Sequence, residues 1–335
     1  MAVPIEQTQI QRLANDAQAA LRQGRAEQAR APLTQLAALM PQHPMVLALR
    51  RWAALIEFDW PAARATMPLA RREPPPADAI DLVVFHADLP VAPSGVHGRI
   101  DYLAVAALSF EAAARRAPQA RRVLLTDERT QVPQTIGAHE VVRQPIGLDR
   151  LMYERMRVQE DYLAARPAER ATVFMDVDIV TNRDPAGIFA EDFDVGLTWR
   201  IEHPDAPVNG GLIFVGPGER GLAFFGAARR CYDALAADAR LATLFERDLR
   251  AWWGDQLALG LMVGYRHFAA ALPPSMSVDG TRLRFLPCAE YNFTPDPNGR
   301  DKPGLLASRF FLHFKGNRKP LQARYLEQLR AAGAT

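Results

Sequence analysis

The sequence has few cysteines, few lysines and almost no excess of charge of one sign. Cys231 and Cys288 are its only cysteines, so neither a disulfide framework nor a cysteine metal site is available, and a reducing compartment fits. Its 40 basic residues nearly balance its 38 acidic ones, which does not favour a nucleic-acid partner. The lysines are Lys302, Lys315 and Lys319. Their positions matter because an ammonium binds phosphate as a point charge.

The sequence also lacks any run of the roughly 18 to 20 apolar residues that are needed to cross a bilayer. Residues 1–11 lack the basic flank and the apolar stretch of a secretion signal. We therefore expect a cytoplasmic protein without a transmembrane segment. With 335 residues, of which 49% are apolar, the chain is long enough for two folded units with a sizeable core.

Apolar residues at helical spacing occupy the first 72 residues, and glycines and prolines divide them into short helices, the last at 63–69. The settings of Ala29 and Ala63 are similar and resemble a degenerate tetratricopeptide-type helical hairpin. Two interpretations remain open: a helical cap on the rest of the protein, or a groove that binds a protein partner. Consecutive prolines within 71–78 end the helical region. The sequence thus predicts an α-helical domain over 1–75 and a second domain over 79–335.

In the second domain, short apolar runs alternate with helical patterns. This alternation is typical of an α/β fold in which helices flank a mixed, mostly parallel sheet. The predicted strands are 81–85, 122–126, 140–143, 172–175, 194–198, 211–215 and a last one near 310–314. The predicted helices are Tyr102–Arg116, Leu151–Ala165 and helical material within 222–260.

Two carboxylates follow the apolar run 172–175. In open α/β sheets, ligands bind beyond the carboxyl ends of the strands. Asp176 and Asp178 are two positions apart and should point to the same side, where their repulsion requires a counter-ion. Mg²⁺ and Mn²⁺ prefer carboxylate oxygen and keep positions open for phosphate oxygens. The pair therefore predicts a divalent-metal site, and two solvated strand-end aspartates are the alternative.

A strand followed by Asp-x-Asp also resembles haloacid dehalogenase-type phosphohydrolases, in which the first Asp is the nucleophile. That pattern has a hydroxyl residue two positions after the second Asp, where this chain has Val180. It also usually lies on the first strand of its domain, whereas here it follows other strands. We therefore favour a metal site over a phosphohydrolase nucleophile.

Two later segments add groups that suit a metal-bound diphosphate. Asn209, Gly210 and Gly211 enter a strand, and paired glycines let the backbone approach a ligand closely, although a tight turn would use the same residues. Near the end of the chain, His313 can supply a nitrogen ligand to the cation. In the same segment, Gly316 and Lys319 can bind phosphate oxygens.

With these motifs the sequence resembles the nucleotide-sugar glycosyltransferases of the GT-A fold, and is similar to family 8, the glycogenin and galactosyltransferase-like group. The resemblance spans roughly residues 80–320, with four motifs in the family's order. They are Asp176 and Asp178; Asn209 and Gly211; Asp255 and Gln256; and His313, Phe314, Gly316, Lys319 and Pro320. The sequence departs from the pattern at Leu321, where the family usually has Trp.

The resemblance implies a role for each matched residue. Asp176, Asp178 and His313 would hold Mn²⁺ or Mg²⁺, and Gly316 and Lys319 would bind the diphosphate of a nucleoside-diphosphate sugar. Asn209 and Asp255 would face the transferred sugar or the acceptor, and Gln256 would lie beneath the anomeric carbon. The base is expected to be uracil, and the acceptor a glycan, a lipid-linked molecule or a protein.

Asp88, which follows the first predicted strand, lies where similar enzymes place nucleotide contacts, and a capped turn explains it almost as well.

Two alternatives to a glycosyltransferase remain. A nucleotidyltransferase on a similar sheet would have a signature lysine in a loop after the first strand, and segment 91–99 contains glycines but no lysine. An inactive helical-repeat adaptor would not need the intact metal-binding motif.

Overall fold

The structure is a computed structural model that describes residues 3–58, 60–88, 100–204, 206–270 and 272–332. Segment 91–99, which bears on the nucleotidyltransferase alternative, lies outside the described residues. The described α-helices are α1 Val3–Arg22, α2 Ala26–Leu39, α3 Pro44–Glu57, α4 Tyr102–Arg116, α5 Leu151–Ala165, α6 Arg220–Ala237, α7 Ala239–Leu244, α8 Glu246–Arg250, α9 Gly254–Val263, α10 Tyr265–Ala270, α11 Cys288–Tyr291, α12 Pro303–Ser308 and α13 Lys319–Ala332. None of these helices is long and apolar enough to cross a bilayer.

The strands form one large sheet and one small one. They are β1 Arg64–Thr66, β2 Ile80–His86, β3 Arg121–Asp127, β4 Glu140–Gln144, β5 Ala171–Asp176, β6 Ile179–Thr181, β7 Val195–Trp199, β8 Val208–Val215, β9 Ser275–Val278, β10 Thr281–Pro287 and β11 Phe311–His313. The large sheet has nine strands in the order β1-β9-β10-β7-β8-β5-β2-β3-β4, and β6 pairs with β11 in the small sheet.

Most strands of the large sheet run in one direction, and β8 and β9 run against the others. Strands β2, β3 and β5 are mostly buried, and each contains a buried apolar run, namely 82–84, 123–125 and 173–175, as expected for strands covered by helices on both faces. The architecture confirms the predicted α/β class: a mixed, mostly parallel sheet flanked by helices and preceded by a helical region. Helices α4 and α5 begin and end at the predicted residues.

The helical region α1–α3 packs on the rest of the protein through a shared apolar core. Buried side chains of these helices, such as Leu21 and Trp52, belong to one cluster with α9 and the sheet. Arg51 of α3 also forms an ion pair with Asp248 of α8 at 2.7 Å. The likeness to a tetratricopeptide hairpin and the division at residues 75–79 stay predictions.

The predicted helix at 63–69 is wrong, because β1 lies there and pairs antiparallel with β9. The reason is tertiary: the Arg64 guanidinium donates to the carbonyls of Trp60, Leu261 and Met262, which holds this segment extended against the sheet. The β9–β10 hairpin has no counterpart among the predicted strands. Its turn, Asp279-Gly280, has positive φ at both residues, at 48° and 76°, and Asp-Gly between two strands is a hairpin signal.

Candidate metal and diphosphate site

Asp176, Asp178 and His313 come together because two short strands pair. β5 ends at Asp176, the chain turns, and β6 then runs antiparallel to β11, with His313 opposite Ile179. The N–H of Phe314 donates to the carbonyl of Asp178 at 2.8 Å, which fixes this register. Asp178 therefore lies in a turn and not on the strand. The two carboxylates meet because the chain reverses, and not through the alternation of side chains along a strand.

The three side chains form a compact set of oxygen and nitrogen ligands. His313 Nε2 lies 3.2 Å from Asp178 Oδ1 and 3.8 Å from Asp176 Oδ2. One ligand atom from each residue lies within 4.8 Å of the other two. Asp178 and His313 are buried, whereas the side chain of Asp176 is 34% exposed. The set fits a divalent cation that keeps one side open to a substrate oxygen.

Asn292 determines which nitrogen of His313 faces the carboxylates. Asn292 Nδ2 donates to Thr198 Oγ1 at 3.2 Å, and its Oδ1 therefore accepts from His313 Nδ1 at 3.0 Å. Nε2 then turns either a second proton or a lone pair toward Asp176 and Asp178. A lone pair directed at two carboxylates is favourable only with a cation between them. An oriented imidazole of this kind is the usual arrangement of a metal-binding histidine.

Lys319 brings a positive charge to the same cluster. Its Nζ lies 2.8 Å from Asp178 Oδ2 and 5.6 Å from the centre of the Tyr102 ring. Burial alone would raise the pKa of Asp178, but the charges and hydrogen bonds of His313 and Lys319 outweigh burial and lower that pKa below its usual value. Asp178 is therefore ionised and already partly neutralised by its neighbours.

Arg155, in the middle of α5, joins two carboxylates of the site. Its Nη1 donates to Asp176 Oδ1 at 2.6 Å, and its Nη2 donates to Asp255 Oδ2 and to the carbonyl of Gly210. Asp255 is 1% exposed. Burial raises its pKa, and the charge of Arg155 offsets part of that effect. Since Asp255 is enclosed and bound to Arg155, it acts on the site through the guanidinium in this arrangement.

Gly210 and Gly211 leave room for these charged side chains. A Cβ atom on Gly210 would lie 2.6 Å from Asp255 Oδ2. A Cβ atom on Gly211 would overlap the carboxylate of Asp176 and lie 2.9 Å from His313 Cε1. Neither glycine has a positive φ, so the requirement is for space and not for backbone freedom. The predicted contact of both glycines with a donor stays a prediction.

Asn209 and Gln256 present amide groups beside the glycine pair. Asn209 Oδ1 accepts the N–H of Gly211 at 2.9 Å, and Nδ2 has no hydrogen-bond partner among the described residues. Gln256 is half-buried, and its Oε1 accepts a long hydrogen bond of 3.4 Å from Arg200 Nη2. Both amides are weakly engaged, so both are able to bind hydroxyl groups of a substrate.

The segment that follows β11 turns sharply and leaves space beside it. Gly316 has φ +64°, a conformation that favours glycine, and apart from its chain neighbours no atom of the described residues lies within 4 Å of where its Cβ would be. One 3₁₀ turn, Gly316–Arg318, leads into α13, which begins at Lys319. Leu321, the departure from the family pattern, packs with Leu312 and neighbouring apolar side chains under α13.

Asp88 lies at the same edge of the sheet as the metal ligands, since β2 and β5 are parallel neighbours with Phe85 beside Asp176. Its side chain is exposed, and its N–H donates to Asp127 Oδ2 at 2.9 Å. Asp127 also accepts from Thr130 and is buried, so it stabilises the turn after β3. The contact of Asp88 with a nucleotide stays a prediction.

Sequence reasoning missed Arg155 and Asn292. Arg155 is one of many arginines on amphipathic helices, and only the fold brings it 2.6 Å from Asp176. Asn292 lies in a segment without a recognisable motif. Neither position carries a signal in the sequence alone.

No family model matches the chain, and no curated protein matches its sequence. Its fold is similar to several solved structures, each at low sequence identity. The galactosyltransferase LgtC in complex with donor and acceptor sugar analogs is 12% identical over 70% of this chain and 87% of that one, with a TM-score of 0.42. A glycosyltransferase involved in the glycosylation of the major capsid of PBCV-1 is 11% identical over 74% and 98%, with a TM-score of 0.42. The glycosyltransferase GlyE of Streptococcus pneumoniae TIGR4 is 12% identical over 69% and 54%, with a TM-score of 0.43.

Proposed function

We propose that this protein is a metal-dependent glycosyltransferase of the GT-A type. It would transfer a sugar from a nucleoside-diphosphate sugar, with uracil as the base, to a glycan, a lipid-linked molecule or a protein. The observation that carries the proposal is the cluster of Asp176, Asp178 and His313, with Lys319 bound to one of its carboxylates, at the edge of the sheet where strands end.

A divalent cation held by Asp176, Asp178 and His313 would stabilise the negative charge that develops on the leaving diphosphate. Mn²⁺ is favoured over Mg²⁺, since Mg²⁺ is bound almost entirely by oxygen and His313 offers nitrogen. Asn292 orients His313 for this role through the hydrogen bond to Nδ1. Asp176 is the ligand with an exposed side, so it is also the one beside the donor.

Lys319 and Gly316 are proposed to bind the diphosphate. Lys319 Nζ is already at the cluster, between Asp178 and the Tyr102 ring, and an ammonium can move from a carboxylate to a phosphate oxygen at small cost. Among the described residues the space beside Gly316 is open, and it would admit a phosphate group close to the backbone. Asp88, at the end of β2, is proposed to bind the nucleoside.

The transferred sugar is proposed to lie over the glycine pair of β8. Asn209 Nδ2 and the amide of Gln256 would bind its hydroxyls. Gly210 and Gly211 would let it approach the backbone. Asp255 is proposed to contribute by holding Arg155 against Asp176, and thereby to fix the metal ligand that lies nearest the sugar.

The test is hydrolysis and transfer with a panel of UDP-sugars and GDP-sugars, with Mn²⁺ or with EDTA. Wild-type protein should release nucleoside diphosphate only with metal. Asp178→Asn, which keeps the side-chain shape, should lose about a hundredfold or more of this rate. Asp149→Asn, at an exposed position, is the matched control and should turn over normally. Undiminished turnover by a folded Asp178→Asn variant would refute the proposal.

A further inference from the structure

A cleft lies between helix α3 of the helical region and helices α8 and α9. Its volume is about 340 Å³, within the range of small-molecule sites, which is roughly 300–1,000 Å³. The side chains that α3 contributes are three or four positions apart and therefore lie on one face of that helix. They are Pro44, Leu47, Ala48 and Arg51, and they face Asp248, Trp253 and Leu257. The helical region and the rest of the chain thus build this cleft together.

Packing and an ion pair hold the two walls of the cleft in place. Trp52 of α3 and Leu257 of α9 belong to the same buried apolar cluster. Arg51 Nη2 donates to Asp248 Oδ2 at 2.7 Å, and the Arg51 guanidinium lies 4.5 Å from the centre of the Phe245 ring. Because the cleft is preformed, a ligand does not lose affinity through the ordering of its walls.

The polar groups of the cleft suit a neutral ligand that carries hydroxyls. Among the described residues that line it, Arg51 and Asp248 are the charged ones. Their side chains are 28% and 15% exposed, so they are shielded from water but within reach of a ligand. A guanidinium donates hydrogen bonds and a carboxylate accepts them, and a hydroxyl can do both. Because the two charges neutralise each other, the cleft has no net attraction for an acidic ligand.

Trp253 adds an aromatic surface to the cleft. It lies at the start of α9 and is 38% exposed. Across the cleft from it, Leu47 and Ala48 are apolar. A sugar ring has apolar C–H faces and hydroxyls at its edge, so an exposed indole beside groups that form hydrogen bonds is suited to bind it.

The cleft adjoins the place proposed for the transferred sugar. Arg200 connects the two, since its guanidinium lies 5.4 Å from the centre of the Trp253 ring and its Nη2 donates to Gln256 Oε1 at 3.4 Å. A Cβ atom on Gly210 would lie 3.2 Å from Gln256 Cγ. Gln256 is therefore in contact with the glycine pair on one side and lies close to Trp253 on the other. Group transfer requires two substrates bound in adjacent places of this kind.

We propose that this cleft binds the acceptor, and that the acceptor is a neutral saccharide. The inference rests on the proposed function and adds the chemical class of the acceptor. Arg51 and Asp248 bind its hydroxyls, and Trp253 contacts the face of a sugar ring. The helical region α1–α3 then has a role in the reaction, because one face of α3 forms a wall of the acceptor site.

The test is the binding of labelled full-length protein to an array of immobilised neutral and acidic oligosaccharides, without nucleotide and again with Mn²⁺ and UDP. Wild-type protein should bind neutral glycans in preference to acidic ones. Ala48→Trp fills the cleft from an exposed position of α3 and should weaken this binding about tenfold or more. Trp253→Ala, which removes the ring, should weaken it as well. Ala31→Trp, at an exposed position of α2 outside the cleft, is the matched control and should bind as wild type.

Three results would overturn the inference: wild-type protein that binds no glycan, a preference for acidic glycans, or undiminished glycan binding by folded Ala48→Trp. Thermal unfolding shows whether each variant is folded, and if Ala48→Trp is not, Trp253→Ala decides by the same criterion. A wild-type protein that binds no UDP with Mn²⁺ would contradict the proposed function instead. In that case the series without nucleotide still decides whether the cleft binds a neutral saccharide.

Discussion

Lys319 Nζ lies 2.8 Å from Asp178 Oδ2, on the carboxylate whose other oxygen lies 3.2 Å from His313 Nε2. An ammonium therefore neutralises one of the oxygens that a divalent cation would use. Cation and ammonium repel each other, so a metal must share Asp178 with Lys319 or displace it. A diphosphate that binds the Lys319 ammonium would break its ion pair with Asp178, and Asp178 could then bind the metal with both oxygens. By linkage, metal and diphosphate should then strengthen each other's binding.

Lys319→Met should strengthen the binding of Mn²⁺ and weaken the binding of the diphosphate. Without nucleotide the variant should bind Mn²⁺ about tenfold more tightly than wild type, since a competing positive charge is gone. With Mn²⁺ present it should bind UDP more weakly. Both constants can be measured by calorimetry, with Lys302→Met as the control. An unchanged or weakened Mn²⁺ affinity in Lys319→Met would show that the ammonium does not compete with the metal.

Arg155→Met should destabilise the protein, because it leaves the buried carboxylate of Asp255 without its counter-charge. The expected loss is about 3–5 kcal/mol of unfolding free energy, measurable by urea denaturation. A carboxyl whose pKa is raised by burial binds more protons in the folded state, so the variant's stability should fall as pH rises above the unfolded pKa of Asp255. The double variant Arg155→Met/Asp255→Asn should recover part of the loss. Equal stability of Arg155→Met and wild type would contradict this account.

Asn292→Ala should weaken metal binding although Asn292 is not a ligand. Without its Oδ1, His313 can rotate or exchange its proton between the two nitrogens, and metal affinity should fall about 10- to 100-fold. Asn292→Asp keeps an acceptor for Nδ1–H and should retain most of the affinity. Mn²⁺ titration of both variants separates orientation from simple loss of packing. Equal losses in the two variants would exclude the orienting role.

Gly211→Ala should disturb the metal site through sterics alone. The new Cβ would overlap the Asp176 carboxylate and press on His313, so Mn²⁺ affinity should fall and stability should drop by about 1–3 kcal/mol. Gly187→Ala is the matched control, since no side chain or backbone atom of the described residues outside its own turn lies within 4 Å of its Cβ position. Thermal unfolding with and without Mn²⁺ measures both effects. A Gly211→Ala variant that matches the control would refute the close packing.

The sequence predicts a helix or strand correctly where the residues of that element alone determine its structure. Helices α4 and α5 carry their periodicity and end signals within themselves, so their bounds follow from the sequence. The structure of segment 63–69 does not follow from its own residues. Its apolar residues fit a helix, and part of the segment is extended only because it pairs with strand β9. The β9–β10 hairpin was not predicted, although its Asp279-Gly280 turn is a sequence signal for a hairpin.

The candidate site also contains residues that the sequence predicts and residues that only the fold reveals. Asp176, Asp178 and His313 were predictable because each belongs to a motif with a recognisable chemistry, and they do converge. Arg155 and Asn292 were not, since they act by orienting other residues and their partners are distant in the chain. The same holds for Lys319: its sequence motif indicates phosphate binding, while its contact with Asp178 emerges only from the fold.

The most direct measurement of the central claim is calorimetric titration of UDP into wild-type protein and Asp178→Asn, each with Mn²⁺ and with EDTA. The account predicts UDP binding to wild type that depends on Mn²⁺, and loss of that dependence in a folded Asp178→Asn variant. Binding of UDP to wild type that is equally tight in EDTA, or Mn²⁺-dependent binding that survives in Asp178→Asn, would contradict it.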